Sequence, residues 1–322
     1  MESKIHKFRP RLPDGFVEVI PSLRKIPLDR IKSFVNRERR LAKGFQRIFV
    51  CSDIHGVFVD YDAFFCFIEV LKTNKADLLI INGDFSDLPL LSRHFKKFWY
   101  DHPVLAEYTE TKEIELIRDV LFKAIYEAVK DTGCEVLVRY GNHDERYLNP
   151  LKGGTTAERI LSIHNAFQTT SFPEMLGCNQ YGFKVDETLR QRYELSPGIQ
   201  VVHGISTAIH AGKVNLRKFG GGISVVTGHT HALELIFDNT LAGGAFSLQT
   251  GCLRTITNIE YFIPGSPPKW QQGFGVIDLI DTGKNRPLAF PQAIKIEEGR
   301  CMFEGQLYQA PERKKASPTE GS

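Results

Sequence analysis

No apolar run in this chain of 322 residues approaches the roughly 20 residues that a helix needs to cross a bilayer. The longest, such as 78–81, are the size of a strand, so a membrane-spanning chain is excluded. The charged N-terminus has no apolar stretch behind it. No secretory signal is therefore readable, and the expected location is cytoplasmic. Cysteine is scarce: Cys51, Cys66, Cys134, Cys178, Cys252 and Cys301 lie far apart and form no CxxC pair. That spacing is not a disulfide framework, and reduced, mostly buried thiols are expected. There is no internal repeat, and with 42% hydrophobic and 25% charged residues the composition excludes a disordered or collagen-like chain.

The net charge of +3 hides an asymmetry. Residues 1–47 hold 13 Lys and Arg against 5 Asp and Glu, whereas the remainder holds 28 against 33. Pro10, Pro13, Pro21 and Pro27 break the first 45 residues, and Leu28, Ile31 and Val35 have partial helical spacing. Residues 1–46 thus read as a basic arm with a short helix, 47–310 as an α/β domain, and 311–322 as a polar tail of disordered composition.

The domain opens on 47–52, a short apolar run as expected for a strand buried on both faces of a parallel sheet. Residues 63–75 carry Phe64, Phe67, Ile68 and Leu71 at helical spacing, and 77–81 reads as a second buried strand. Together they form a βαβ unit. A helical insert is predicted over 85–133, with helices at 88–100 and about 104–130. Ile114, Ile117, Leu121 and Ile125 lie near one face of the second. A third strand follows at 135–140, and a helix is expected to start near Thr155. Strands are then predicted at 200–203, 224–227, 233–237, 245–249 and 274–280, with a turn at Asp238-Asn239.

Five polar motifs follow apolar strands: Asp53-Ile-His55, Gly83-Asp84-Phe-Ser-Asp87, Gly141-Asn142-His143-Asp144, His203-Gly204 and Gly228-His229-Thr-His231. Strand ends on one edge of an α/β sheet converge, so motifs spread over almost 180 residues can share one site. Asp, His and Asn are borderline donors suited to transition metals rather than to an all-oxygen calcium shell. Residues at i and i+2 of an extended segment face the same way, so Asp53 with His55 and His229 with His231 can each present two donors. Singly each motif reads as a capped strand end, a turn or a core histidine. The ordered set reads as a metal site.

The ordered set DxH, GDxxD, GNHD, HG and GHxH resembles the calcineurin-like metallophosphoesterases over about residues 47–280. That resemblance implies a four-layer α/β/β/α sandwich with two divalent transition-metal ions, Mn foremost and Fe, Zn or Ni as alternatives. By position it implies that Asp53, His55 and His231 hold one metal, that Asn142, His203 and His229 hold the other, and that Asp84 bridges them. It implies His143 as catalytic histidine with Asp144 as its orienting partner. Asp87 has two readings, a partner for a ligand histidine or a helix N-cap. The reaction implied is phosphoester hydrolysis by metal-bridged hydroxide attack, with His143 protonating the leaving oxygen.

Subgroup signatures narrow the substrate. Ser/Thr protein phosphatases carry GDxxDRG and RGNHE, whereas Leu88 and Pro89 follow Asp87 and Tyr140 precedes Gly141, with Arg139 one place away. The lipid A pathway pyrophosphatases carry GNRD, and this chain has His143. The GNHD is similar to that of the repair-exonuclease branch, so a phosphodiesterase acting on DNA, RNA or nucleotides is expected. The alternatives are a small-molecule phosphatase or nucleotide pyrophosphatase, and a non-catalytic scaffold of the same fold. The stretch 93–100, Arg-His-Phe-Lys-Lys-Phe-Trp-Tyr, reads as an amphipathic packing helix or as a surface for a strand of nucleic acid. Arg217 and Lys218 are candidates for a phosphate contact.

Overall fold

The computed structural model describes residues 44–92, 108–148, 154–188, 191–204, 210–219, 222–240, 243–256 and 269–312. The basic arm through residue 43, the stretch 93–100 and the tail from 313 lie outside the described residues. The chain divides into two compact units, Met1–Phe45 and Gln46–Ser322, and the elements below build the second.

Alternating helix and strand open the unit: β1 (Phe45–Cys51), α1 (Tyr61–Thr73), β2 (Leu78–Asn82), α2 (Glu110–Leu116), a π-helical stretch (Ile117–Phe122), α3 (Lys123–Val129) and β3 (Glu135–Arg139). Four helices follow, α4 (Glu145–Leu148), α5 (Gly154–Phe167), α6 (Phe172–Met175) and α7 (Cys178–Tyr181). Then come β4 (Lys184–Asp186), β5 (Tyr193–Ser196), β6 (Ile199–Val201), α8 (Ala211–Phe219), β7 (Ser224–Thr227), β8 (Leu233–Thr240) and β9 (Gly243–Thr250). The chain closes with β10 (Gly273–Ile280), β11 (Leu288–Lys295), β12 (Arg300–Phe303) and β13 (Gln306–Gln309). The strands form a six-stranded sheet, β11-β10-β1-β2-β3-β4, a five-stranded sheet, β5-β6-β7-β9-β8, and the β12-β13 hairpin.

The apolar strands split their side chains between two cores. Phe49, Cys51, Leu79, Ile81, Val136 and Val138 face the helices, where Phe64, Phe67 and Leu71 of α1 meet them. Ile48, Val50, Ile80 and Leu137 face the second sheet and pack on Val201, Val226, Phe246 and Leu248. Phe219 of α8 covers the far face of that sheet with Val202 and Val225. The order is helix, sheet, sheet, helix, the four-layer α/β/β/α sandwich expected. Fully apolar strands are what burial on both faces requires. At roughly 1.5 to 3 kcal/mol for each large apolar side chain buried, the two cores dominate the stability.

Ile114, Ile117, Leu121 and Ile125 are all fully buried, as their spacing predicts. Their helix begins at Glu110, capped by the Thr109 hydroxyl, and residues 104–107 lie outside the described set. In place of a helix from Leu88, Pro89–Leu91 forms one 3-10 turn after Leu88 in the left-handed region. Asp238 and Asn239 are not a turn: they pair with Ala245 and Gly244 inside the β8-β9 ladder. Strand β11 is not predicted by the sequence because Pro291 interrupts its pattern. It is an edge strand in the sheet order, where a missing N–H is tolerated. No described helix is long and apolar enough to cross a membrane.

Candidate metal centre

Strands β1, β2 and β3 run parallel in one sheet, and β6 and β7 run parallel in the other. The first three motifs therefore leave their strands in one sense, and the last two likewise share theirs. Backbone hydrogen bonds join the loops: Asp53 N to Gly83 O (3.0 Å), His55 N to Asp84 O (2.9 Å), Gly228 N to His203 O (2.7 Å) and Leu253 N to Asp53 O (3.2 Å). Asp53, His55, Asp84, His229 and His231 all adopt positive φ, between 50° and 70°. Each such residue costs about 1 to 3 kcal/mol, and it persists only where the surroundings enforce it. Five of the seven predicted ligands are held this way. The loops also approach too closely for a side chain at Gly83 (φ 83°), where a Cβ would sit 2.6 Å from His203 Nδ1 and 2.7 Å from the Gly141 backbone. Gly83→Ala is expected to lower Tm by about 5 to 10 °C, read by calorimetry.

Each central carboxylate is anchored by donors of the neighbouring loops and turns an oxygen to imidazoles. Asp53 Oδ2 accepts from Ser52 Oγ (2.5 Å) and from His229 N (2.9 Å), which also reaches Oδ1 at 3.1 Å. Its Oδ1 lies 3.2 Å from His231 Nε2, 3.8 Å from His55 Nε2 and 4.0 Å from His203 Nε2. Asp84 Oδ1 accepts from His143 N (2.8 Å), and Oδ2 lies 3.0 Å from His203 Nε2. Asp53, His55 and His231 form one cluster of convergent donors; Asp84, His203 and His229 form another. Asn142 is half-buried on the turn between Gly141 and His143, beside the Asp84 carboxylate that His143 N contacts.

These residues fit divalent metal ions. His203 gives its Nδ1–H to the Asn82 carbonyl (2.7 Å), which leaves Nε2 buried without a hydrogen bond and facing two carboxylates. His55 and His231 likewise bring their Nε2 atoms within 3.0 Å of each other. Electron-rich atoms converge on a common space, and a cation satisfies them together. The electrostatics agree. Burial works to raise the Asp53 and Asp84 carboxyls, yet His231 and His203 beside Asp53, and His203 and His143 beside Asp84, hold both below the usual carboxylate range. Burial disfavours a charge on His203, but Asp84 and Asp53 pull it up to about 10. Without a cation, a proton supplies the positive charge that the two carboxylates demand. At His231 burial prevails and pushes the imidazole down to about 4.

His143 stands beside this set, its ring 4.6 Å from that of His55 and its Nε2 4.0 Å from Asp84 Oδ2. Its orienting partner is Asp87, not Asp144. Asp87 Oδ1 takes both His143 Nδ1 (2.5 Å) and His55 Nδ1 (2.9 Å), so one carboxylate fixes the tautomer of two histidines. Of its two readings, the partner of a ligand histidine is the one the geometry carries. Asp144 is fully buried and turned the other way. It accepts from Asp84 N (2.7 Å), Ser86 N (3.0 Å), Ser86 Oγ (2.6 Å) and Gly141 N (2.8 Å), tying the GDxxD loop to the GNHD loop. Burial and the Asp84 charge push its carboxyl up to about 7. Asp87→Asn is expected to lower turnover about 10- to 100-fold with little change in Tm. Asp144→Asn, which places an amide against backbone N–H donors, is expected to act first on Tm. Steady-state rates and calorimetry on the two variants separate the roles.

The sequence gives no sign of Glu113, 26 residues from Asp87 yet accepting its N–H (2.6 Å) and that of Leu88 (3.0 Å). Only the long insert helix brings it there. Arg146 is also unforeseen: its guanidinium donates to the Asp87 carbonyl and reaches His143 Nε2 at 3.2 Å. Arg139 stops one residue short of the histidine clusters, at Asn82 Oδ1 (3.4 Å). It is buried and committed to Asp186 (2.9 Å), the Val201 carbonyl (2.9 Å) and the Gln191 carbonyl (2.7 Å). Arg217 and Lys218 are on the exposed face of α8.

No curated protein matches the chain. Among solved structures it is similar to wild-type Vps29 from Entamoeba histolytica complexed with Zn²⁺, at 13% identity and a TM-score of 0.34, covering 82% of this chain and 96% of that one. It is also similar to Vacuolar Protein Sorting 29 from Cryptosporidium parvum, at 12% identity and a TM-score of 0.35, covering 83% of this chain and 97% of that one. The family model described as calcineurin-like phosphoesterase matches residues 46–233, more than half of the chain. The chain belongs to the calcineurin-like phosphoesterase family.

Proposed function

We propose that the protein is a phosphodiesterase dependent on two divalent transition-metal ions, with nucleic acid or nucleotides as substrate. The observation that carries the reading is the pair of carboxylates, Asp53 and Asp84, each anchored by donors of the neighbouring loops and each turning an oxygen to a histidine cluster. Asp53, His55 and His231 would hold one ion, Asn142, His203 and His229 the other, with Asp84 between them. When bound, such ions supply Lewis-acid activation of water and neutralise charge at the phosphoryl group.

The chain's own residues do the rest. Asp87 accepts from His143 Nδ1, so Nε2 is the nitrogen that would face the leaving oxygen, and the Arg146 guanidinium, 3.2 Å from Nε2, must turn aside for Nε2 to carry and deliver a proton. Burial, with Arg146, lowers the His143 imidazole below its ordinary value against the pull of Asp84 and Asp87. The Ser52 hydroxyl and His229 N–H fix the rotamer of Asp53. The nucleic-acid part of the reading rests on the basic arm and the GNHD motif. An activity screen of the Mn²⁺-supplied protein across phosphomonoesters, bis-aryl phosphate, linear and cyclic dinucleotides, and single- and double-stranded DNA tests it. Diester and DNA cleavage is expected. Turnover of mononucleotides alone would select the small-molecule phosphatase, and no hydrolysis of any ester would contradict the enzyme reading.

A further inference from the structure

Among the described residues of this unit, three arginines have 5% or less of their surface exposed, and two are paired. Arg47 makes a two-pronged ion pair with Asp278 (2.7 Å at both contacts) and reaches Glu304 at 2.9 Å; Arg139 pairs with Asp186. Arg254 has no such partner: among the described residues no carboxylate lies within ion-pair distance, and its Nε is buried without a hydrogen bond. A buried guanidinium is expected to be paired, because leaving its charge uncompensated is costly.

Its position explains what the partner would be. After β9 the chain folds back on the first metal loop, with Leu253 N bonded to Asp53 O, Thr255 N to Phe58 O (2.8 Å), and Arg254 bridged to Val59. The guanidinium lies over two rings, Phe58 at 5.2 Å and Trp270 at 4.9 Å. Trp270 in turn touches the His231 ring at 4.2 Å. The rings stabilise the cation through their faces but accept none of its five N–H donors. The charge is near enough to His55 and His231 to oppose protonation of both. A fixed cation adjacent to a metal cluster, with its donors uncommitted to any carboxylate, suits an anionic oxygen.

We propose that Arg254 is a substrate-binding residue whose guanidinium takes an anionic phosphate oxygen of the phosphoester held at the neighbouring cluster. The assignment rests on the phosphoesterase reading for its substrate. It supplies the arginine that the chain lacks after Asp87, where Leu88 and Pro89 stand, from a different strand end.

Binding of inorganic phosphate to the full-length, Mn²⁺-supplied protein tests it. The chain has two tryptophans, so Trp99→Phe leaves Trp270 as the sole indole. Phosphate is expected to change its emission saturably, and calorimetry gives the dissociation constant. Arg254→Gln should weaken that constant about tenfold or more, and Arg254→Lys about threefold, since an ammonium keeps the charge but not the planar fork. The KM for bis-aryl phosphate should rise in parallel. If Arg254→Gln does not fold, Arg254→Lys carries the test. Unchanged phosphate binding in the folded variants, or no binding by the parent protein, overturns the assignment. An active parent enzyme with unaffected variants would remove Arg254 alone. Arg254-dependent phosphate binding without hydrolysis of any ester would remove the enzyme reading and leave the anion site.

Discussion

Asp84→Ala is expected to abolish metal-dependent hydrolysis, lowering kcat/KM by about 10³-fold or more. The figure follows from the several kcal/mol that a Lewis acid contributes to phosphoryl transfer, at about 1.4 kcal/mol for each tenfold. Asp84 has this weight because of where its oxygens go. One accepts from His143 N and keeps the GNHD turn against the β2 loop, while the other lies 3.0 Å from His203 Nε2. The loss should also appear without any turnover. A metal that binds only the folded protein adds about 2.7 kcal/mol of stability at a hundredfold excess over its dissociation constant. For a domain of this size that is a rise in Tm of about 5 to 10 °C on adding Mn²⁺. The rise should vanish in Asp84→Ala. Asp84→Asn keeps an acceptor for His143 N, so a rise missing in that variant too would show that the charge, and not the loop geometry, is what the metal needs. A full Mn²⁺-induced rise in both variants would contradict the assignment.

His143→Ala is expected to leave metal binding intact and to remove about 10² to 10⁴ in kcat, the usual contribution of a positioned proton donor. Its ring converges with His55 and Asp87 but not with Asp53 or Asp84, so the two clusters built on those carboxylates should keep their metal content and the Mn²⁺-induced rise in Tm. The pH profile gives the sign. A proton donor works in its charged form, so the parent rate should fall as pH rises through the His143 pKa, which burial lowers from the ordinary value of 6.5. That alkaline limb should be missing in His143→Ala. Metal loss in the variant would make His143 a ligand, and full activity would remove it from the mechanism.

Much of this was legible because a parallel strand buried on both faces has a recognisable sequence. Ile48 to Cys51, Leu79 to Ile81 and Val136 to Val138 are apolar without alternation, since one set faces the helices and the other the second sheet. The polar residue that ends such a run is conspicuous, and topology then gathers those ends. Asp53, His55, Asp84, His203, His229 and His231 converge for that reason.

What was not legible is how side chains orient within the cluster. Asp144 adjoins His143 in sequence, but its carboxylate is drawn to four donors in the Asp84 and Gly141 loops, and Asp87, 56 residues away, takes the imidazole. The left-handed backbone at five of the predicted ligands also defeats simple i, i+2 reasoning: Asp53 and His55 do not project as neighbours on a straight strand, and the turn aims them. Glu113 and Arg254 come from an insert helix and a late strand end, and their role depends on loops packing, which no local pattern encodes. The edge strands β4, β5 and β11 are half-exposed or carry Pro291, so burial does not shape their pattern.

If the strand ends of the two sheets form one divalent-metal centre, the protein should hold its ions without substrate. Metal content of the protein after equilibration with Mn²⁺ and removal of free ion, read by mass spectrometry, tests it most directly. Close to two equivalents per chain are expected, as a two-metal site requires, falling sharply in Asp84→Ala. A parent protein that retains no metal would contradict it.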